Sequence, residues 1–446
     1  MSMNVSRRAF VGTAGLLATT LAACSGGNGG SESSAGDSGA GSAASTAAGG
    51  SVYWLNFKPE LDETLQELAG TYTKETGVPV KIVTAASGTY NQTLIAEMDK
   101  SEAPTLFVIG NAAGVKEWGD FALDLKGTAI EKELNTDAYN LYDTEGKLVS
   151  IGYCYECYGI VANKDLIEKA GHAIDDIKDF ESLKKVVEDI HKRSNELGFD
   201  AFVATDMDDS SSWRVTGHLA NLEYYYEEQD TGDFDESTSE IAGTYLPNYK
   251  KLYDLMINNS VVEPSALATG GHDPATQFTN GEAAFFLTGS WDYATLSEAQ
   301  PNVRMLPYYC GVSGEEKAGL NCGTENCWAV NVNATEENQQ ATIDFMVWLV
   351  SNPDASAKMV EQLGIMPYTN AAESTNGFLL NAAEYTADGC YVMDWATNYQ
   401  PNVDQYRAAL VSALNAYNSD PSDSNWDDVK KAFVDGWATQ YKAANS

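Results

Sequence analysis

The chain has 446 residues, 43% of them hydrophobic and 11% aromatic, more than one compact core usually holds, so two lobes or domains are expected. Its formal net charge of −37, from 27 basic and 64 acidic residues, argues against nucleic acid or an anionic membrane surface as a partner. A neutral or cationic ligand fits that charge, and acidity alone does not choose between them.

The N-terminus precedes any fold argument. A head carrying Arg7 and Arg8, an apolar run from Val11 to Ala23 and then Cys24 form an export signal, too short for a comfortable membrane span. Ser6-Arg7-Arg8-Ala9-Phe10 resembles a twin-arginine motif, with general secretory export the alternative. Leu21-Ala22-Ala23-Cys24 resembles a lipobox, in which residues 1–23 are removed and Cys24 is acylated. The other reading is a plain secretory signal with an incidental cysteine. Residues 24–50 are nearly all Gly, Ser, Ala, Asn and Thr, a composition that cannot bury a core and reads as a flexible tether. The expected product is anchored by lipid to the outer face of the cytoplasmic membrane and folds from Ser51.

Residues 52–57 read as a first strand. Pro59 opens a helix with Leu61, Leu65, Leu68 and Tyr72 on one face, and Gly77 closes it. Residues 78–83 and 104–109 read as strands with a helix at 89–100 between them. Strand and helix alternating in this way predict an α/β fold with a parallel sheet. Ligands of such sheets bind beyond the carboxyl ends of the strands, which here carry Asn56 and Lys58, Ser87 and Tyr90, and Asn111. Further on, 151–161 reads as a strand, and Phe180, Leu183, Val187 and Ile190 mark a helix. Residues 201–204 read as a strand, 210–214 as a helix start capped by serines, and 246–258 as a helix. Residues 278–287 read as a turn into a buried strand and 326–332 as a strand. Helices dominate from there, at 335–351, 353–363, 402–418 and 425–442.

Six cysteines follow Cys24: Cys154, Cys157, Cys310, Cys322, Cys327 and Cys390. Outside the cytoplasm they are expected to form disulfides. Local pairs among Cys310, Cys322 and Cys327 come first, and Cys154 or Cys157 with Cys322 or Cys327 is the nonlocal alternative. Free buried thiols are the other reading. Cys154 and Cys157 have the spacing of a redox pair, but an odd separation on a strand puts the sulfurs on opposite faces. The four histidines stand at no zinc-ligand spacing from a cysteine pair, so neither metal nor cofactor is expected.

Three stretches carry a family resemblance. Phe278-Thr-Asn-Gly-Glu-Ala-Ala-Phe-Phe-Leu-Thr-Gly-Ser-Trp291, the segment Gly146 to Lys164, and Cys327-Trp-Ala-Val-Asn331 with Trp348-Leu349 resemble, in order and spacing, the maltose-type (family 1) extracellular solute-binding proteins of sugar ABC importers. The resemblance implies a two-lobed, periplasmic-binding-protein-like (type II) fold with hinge-crossing strands and a helical C-terminal region. It implies lobe one at 51–157, lobe two at 158–325, and a return to lobe one with the C-terminal helices at 326–446. Those helices would cover lobe one and lend a wall to the cleft. The implied partners are a carbohydrate, the importer's permease subunits and, through Cys24, the membrane; a monomer is expected.

Sugars present C–H faces to flat aromatics and hydroxyls to carboxylates, amides and guanidinium groups. Aromatic residues next to polar ones therefore stand out: Trp291 with Asp292, and Trp213 with Arg214. Glu156 resembles a family ligand carboxylate, Trp395 with Asp394 matches a family stacking position, and Thr324, Glu325 and Asn326 fall in the return hinge. Trp328, Trp348, Phe345, Leu349, Phe285 and Phe286 sit in apolar runs and read as core. The rival class is a lipid-anchored glycoside hydrolase, which needs two carboxylates at catalytic spacing. Asp292 and Glu156 could serve, but no hydrolase motif and no nucleophile–base set is visible. A sugar-sensing or adhesion subunit is the third reading.

Overall fold

Val52–Asn56 folds as β1 with all five residues buried, the pattern of a parallel strand covered on both faces. The computed structural model describes residues 49–86, 88–232 and 237–446. The expected leader, Cys24 and the expected tether up to residue 48 lie outside the described residues, as does Ser87. Among the described residues further strands follow: β2 (Val80–Thr84), β3 (Leu106–Val108), β4 (Leu141–Tyr142), β5 (Leu148–Gly152), β6 (Glu156–Asn163), β7 (Asp200–Val203), β8 (Ala283–Gly289), β9 (Val303–Leu306), β10 (Ala318–Gly323), β11 (Cys327–Val330) and β12 (Tyr391–Asp394). They form two sheets, ordered β2-β1-β3-β11-β5-β4 and β12-β10-β6-β8-β7, with β9 also paired to β6.

The first sheet begins as the expected parallel unit, β1 pairing in parallel with β2 and β3. The helix Asp62–Thr76 joins β1 to β2, burying Leu65, Leu68 and Tyr72. From far along the chain, β11 enters antiparallel between β3 and β5. Trp54, Tyr153, Trp328 and Phe345 form the aromatic centre of this lobe, with Trp54 and Trp328 edge to face at 5.7 Å. The helices Glu336–Ser351 and Pro353–Leu363 complete its cover.

The second sheet is built around β6, whose eight residues are all buried. Helix Phe180–Lys192 packs Phe180, Leu183, Val187 and Ile190 into that lobe, its start fixed by a capping box between Asp179 and Ser182. The chain passes between sheets at 153–155, at 324–326 and again at 364–376. Cys154, in the first crossing, belongs to the first core, and Cys157, on β6, to a core of the second lobe, so the crossing itself parts the two sulfurs.

The C-terminal helices correct the sequence reading. Gly377–Ala387, Val403–Ser419 and Asp423–Ala444 pack on the second lobe, not the first. The reason is an uncovered aromatic surface on Asn221–Thr231 and Leu246–Ile257. Tyr224 meets Trp437 at 5.1 Å, Tyr249 meets Phe433 at 5.2 Å, and the Tyr253 hydroxyl donates to Asn418 Oδ1 at 2.7 Å. Two local readings also change. The segment after Ser210 forms a wide five-residue turn, Arg214–His218, before the helix Asn221–Thr231. A short strand, β12, interrupts the helical tail and pairs in parallel with β10. In this structure none of the six described cysteines is bridged to another.

Within Asn221–Thr231, Glu223 is fully buried, and its carboxyl is pushed up to about 9 by burial and by the neighbouring Glu227. Glu227 in turn accepts backbone N–H bonds from Ala242 and Gly243. A folded pKa raised above the unfolded 4.5 means stability that is full below 4.5 and is lost as pH climbs toward about 9. Glu223→Gln is therefore expected to flatten that decline and to raise the melting midpoint by about 3 °C near pH 8. Midpoints across the pH range check this, and an unchanged slope in the variant would refute it.

Candidate ligand-binding cleft

Between the sheets lies a cleft of about 250 Å³, lined by both lobes and by the hinge crossings. Its first-lobe side comes from the loops after β1, β2 and β3, the strand ends the topology singles out. Lys58 follows β1, and its loop is clamped by Asn56, whose Nδ2 donates to Lys58 O at 2.6 Å while Oδ1 accepts from Lys58 N at 3.0 Å. Asn56 is thus spent on the backbone and does not line the cleft. Tyr90 lines it with its ring, since its hydroxyl accepts from Val108 N and donates to Leu55 O. Asn111 lines it while capping the following helix through Gly114 N at 2.8 Å.

At the hinge, Lys58 Nζ lies 2.9 Å from Glu156 Oε1 and 3.0 Å from Glu60 Oε1. Burial works against the charge on Lys58, but Glu156 and Glu60 override it and hold the ammonium well above its ordinary range. Asn326 Nδ2 donates to Glu156 Oε2 at 2.9 Å, so both carboxylate oxygens are occupied. Glu325 lines the cleft beside them, and Thr324 stays behind it, accepting from Asn326 N. The lobes touch here: a Cβ on Gly110 would stand 2.2 Å from Glu325 O, a gap only glycine leaves open.

The second lobe supplies the flat surfaces. Trp213, Trp291 and Trp395 all line the cleft around His218. Ring centroids of His218 lie 4.9 Å from Trp213, 5.2 Å from Trp291 and 5.9 Å from Trp395. Beneath them Tyr158 stacks on His218 at 4.1 Å and 8°. Trp291 folds back over Gly289, where a Cβ would meet the indole at 2.2 Å. The Trp213 indole is fixed by Nε1 donating to Ser210 O and by the Arg214 guanidinium 4.1 Å over its ring.

Several sequence candidates fall just outside. Arg214 and Asp292 do not line the cleft; they meet behind the indoles at 3.5 Å, with Asp292 also accepting from Thr288 Oγ1. Asp394 is exposed, because strand alternation turns Met393 inward and its neighbour outward. Ser87 is not among the described residues.

Among the cleft residues that sequence reasoning missed are His218 and Arg407. His218 has no partner pattern around it, and the wide turn Arg214–His218 delivers it to the floor. Burial, then Arg407, Arg214 and Lys58, hold it well below its ordinary pKa, so the imidazole is neutral. Arg407 arrives from the helix Val403–Ser419, its Nε donating to Gln400 Oε1 at 2.7 Å. The C-terminal region thus does wall the cleft, though from the second lobe. Among the described residues His218 Nδ1, Trp395 Nε1 and Tyr158 Oη have no protein partner. Buried polar atoms of this kind call for a hydrogen-bonding occupant or water.

The family model described as bacterial extracellular solute-binding protein matches residues 67–389. Among solved structures, the chain is similar to the solute-binding protein RafE of Streptococcus pneumoniae in complex with raffinose, at 17% identity over 87% of this chain and 99% of that one, with a TM-score of 0.68. It is similar to a chitin oligosaccharide binding protein, at 15% identity over 89% and 99%, with a TM-score of 0.67. It is also similar to a Streptococcus pneumoniae solute-binding protein in complex with the blood group A-trisaccharide, at 17% identity over 87% and 99%, with a TM-score of 0.62. At these identities the likeness establishes a shared two-lobed α/β fold. No curated protein matches the chain in sequence.

Proposed function

We propose that this chain, which belongs to the family of bacterial extracellular solute-binding proteins, captures a carbohydrate between its lobes, presents it to an importer's permease and does not transform it. The observation that carries the reading is the set of indoles of Trp213, Trp291 and Trp395 around neutral His218, beside polar atoms left without protein partners. Flat apolar faces next to hydrogen-bonding groups match the two faces of a sugar ring. Several stacking surfaces favour an oligosaccharide over a monosaccharide. The sugars named for the similar structures support the class. Glu156 has both carboxylate oxygens engaged, by Lys58 and Asn326, with burial raising its carboxyl and Lys58 opposing that shift, so it is a fixed hinge group with neither oxygen free to meet a substrate, which favours binding over hydrolysis. The protein is exported; we infer a lipid anchor on Cys24 from the lipobox, and action as a monomer.

A thermal-shift series on residues 51–446 with mono- and oligosaccharides tests this. A ligand present at about 100 times its Kd adds about 2.7 kcal/mol to the folded state and raises the midpoint with dose. The expected result is such a shift with an oligosaccharide recovered intact. Cleavage of the sugar would make the chain a hydrolase, and a series with no shift would remove the carbohydrate.

A further inference from the structure

Six buried or half-buried thiols leave the cysteine pairing open in the sequence, but the second sheet brings two of them together. Cys157 on β6 stands directly opposite Cys322 on β10, flanked by the pairs Tyr158–Asn321 and Glu156–Gly323. Cys157 N donates to Ser290 Oγ at 3.1 Å, away from β10. The cysteines therefore form a pair of the kind that exchanges no backbone bonds. Such pairs bring Cα atoms to about 4.5 Å, inside the range of about 4.4–6.8 Å that a disulfide needs. Both side chains lie in one small core with Met305 and Leu320. Cys157 Sγ lies 3.9 Å from Met305 Sδ and Cys322 Sγ 3.6 Å from Leu320 O within that core, and the Cys157 thiol is held well above its ordinary pKa by burial and then by Cys322. Of the remaining thiols, Cys310 lies in a different core and Cys327 Sγ donates to Tyr139 O.

We propose that Cys157 and Cys322 are the protein's disulfide site, oxidised by exchange with a disulfide to staple two of the three hinge crossings at the root of the second lobe. In the exchange the two thiols lose two protons and two electrons, a bond forms between their Sγ atoms, and the oxidant's S–S bond is cleaved to two thiols. The site is independent of which ligand the cleft takes. Its consequence is positional. β6 begins at Glu156 and β10 ends at Gly323, so the bond lies one residue from where each strand leaves for the hinge. A covalent tie there lets the crossings bend together and prevents them from sliding apart. With Cys157 and Cys322 0% and 2% exposed, the bond forms during folding or transient opening, not by attack on the closed protein.

The test refolds the whole chain in oxidised and reduced glutathione and maps its peptides without reduction. The expected result is one linked pair, the Cys157 peptide with the Cys322 peptide, and an intact mass lower by two hydrogens. The midpoint should fall by about 5 °C on adding dithiothreitol, because the bridge closes a long loop of the unfolded chain. Cys157→Ser and Cys322→Ser should each abolish the dithiothreitol-sensitive shift, and Cys310→Ser should keep it. A map in which both thiols remain alkylatable, or in which Cys154 is joined to Cys327, overturns the proposal. The wild-type map stands even if a serine variant fails to fold.

Discussion

Glu156→Ala is expected to cost about 3–5 kcal/mol of stability, because it leaves Lys58 buried with its charge half answered. Lys58 and Glu156 are 5% and 2% exposed, and the remaining partner, Glu60, sits at the solvent edge. The loss should be visible as a lower urea midpoint with an unchanged slope. Lys58 belongs to the first lobe and Glu156 opens the second, so binding should weaken along with stability. The paired replacement Lys58→Met with Glu156→Leu removes both charges and should recover most of the stability but not the binding. A single variant within 1 kcal/mol of wild type, on the order of an exposed pair, would mean that water reaches the pair.

Trp291→Ala should weaken ligand capture about 100-fold, near 2.7 kcal/mol, with little change in the midpoint of the free protein. The indole is only half-buried and lies at the centre of the aromatic group, between Trp213 at 5.7 Å and His218 at 5.2 Å, with Lys58 Nζ 5.8 Å over its ring. Titration calorimetry with the sugar found by thermal shift measures the loss. Asp394→Asn is the control, since its exposed side chain does not line the cleft, and a change below about twofold is expected. A comparable loss in both variants would move the binding surface away from the indoles.

Lys58, Tyr90 and Asn111 were legible because the βαβ pattern fixes which loops lie at the carboxyl ends of the strands. Trp213, Trp291 and Trp395 were legible as aromatics beside polar neighbours, and all three line the cleft. Their polar neighbours Arg214, Asp292 and Asp394 were not separable from them in sequence, yet the first two meet each other and the third faces out. Adjacency along a chain says nothing about which way consecutive side chains point until the backbone between them is fixed. His218 and Arg407 carried no local signature, since each becomes a cleft residue only through a turn or a helix placed by packing.

Periodicity and composition by themselves determined the parallel start of the first sheet and the positions of most helices, because those depend on residues close in sequence. Only the tertiary structure decided which lobe the C-terminal helices cover, which cysteines face each other and which side chains share the cleft. Tyr224, Tyr406 and Trp437 are equally good core residues for either lobe, and the choice rests on which apolar surface was left bare. Cys157 meets Cys322 for a similar reason: a register between strands far apart in the chain is set by what the whole sheet buries.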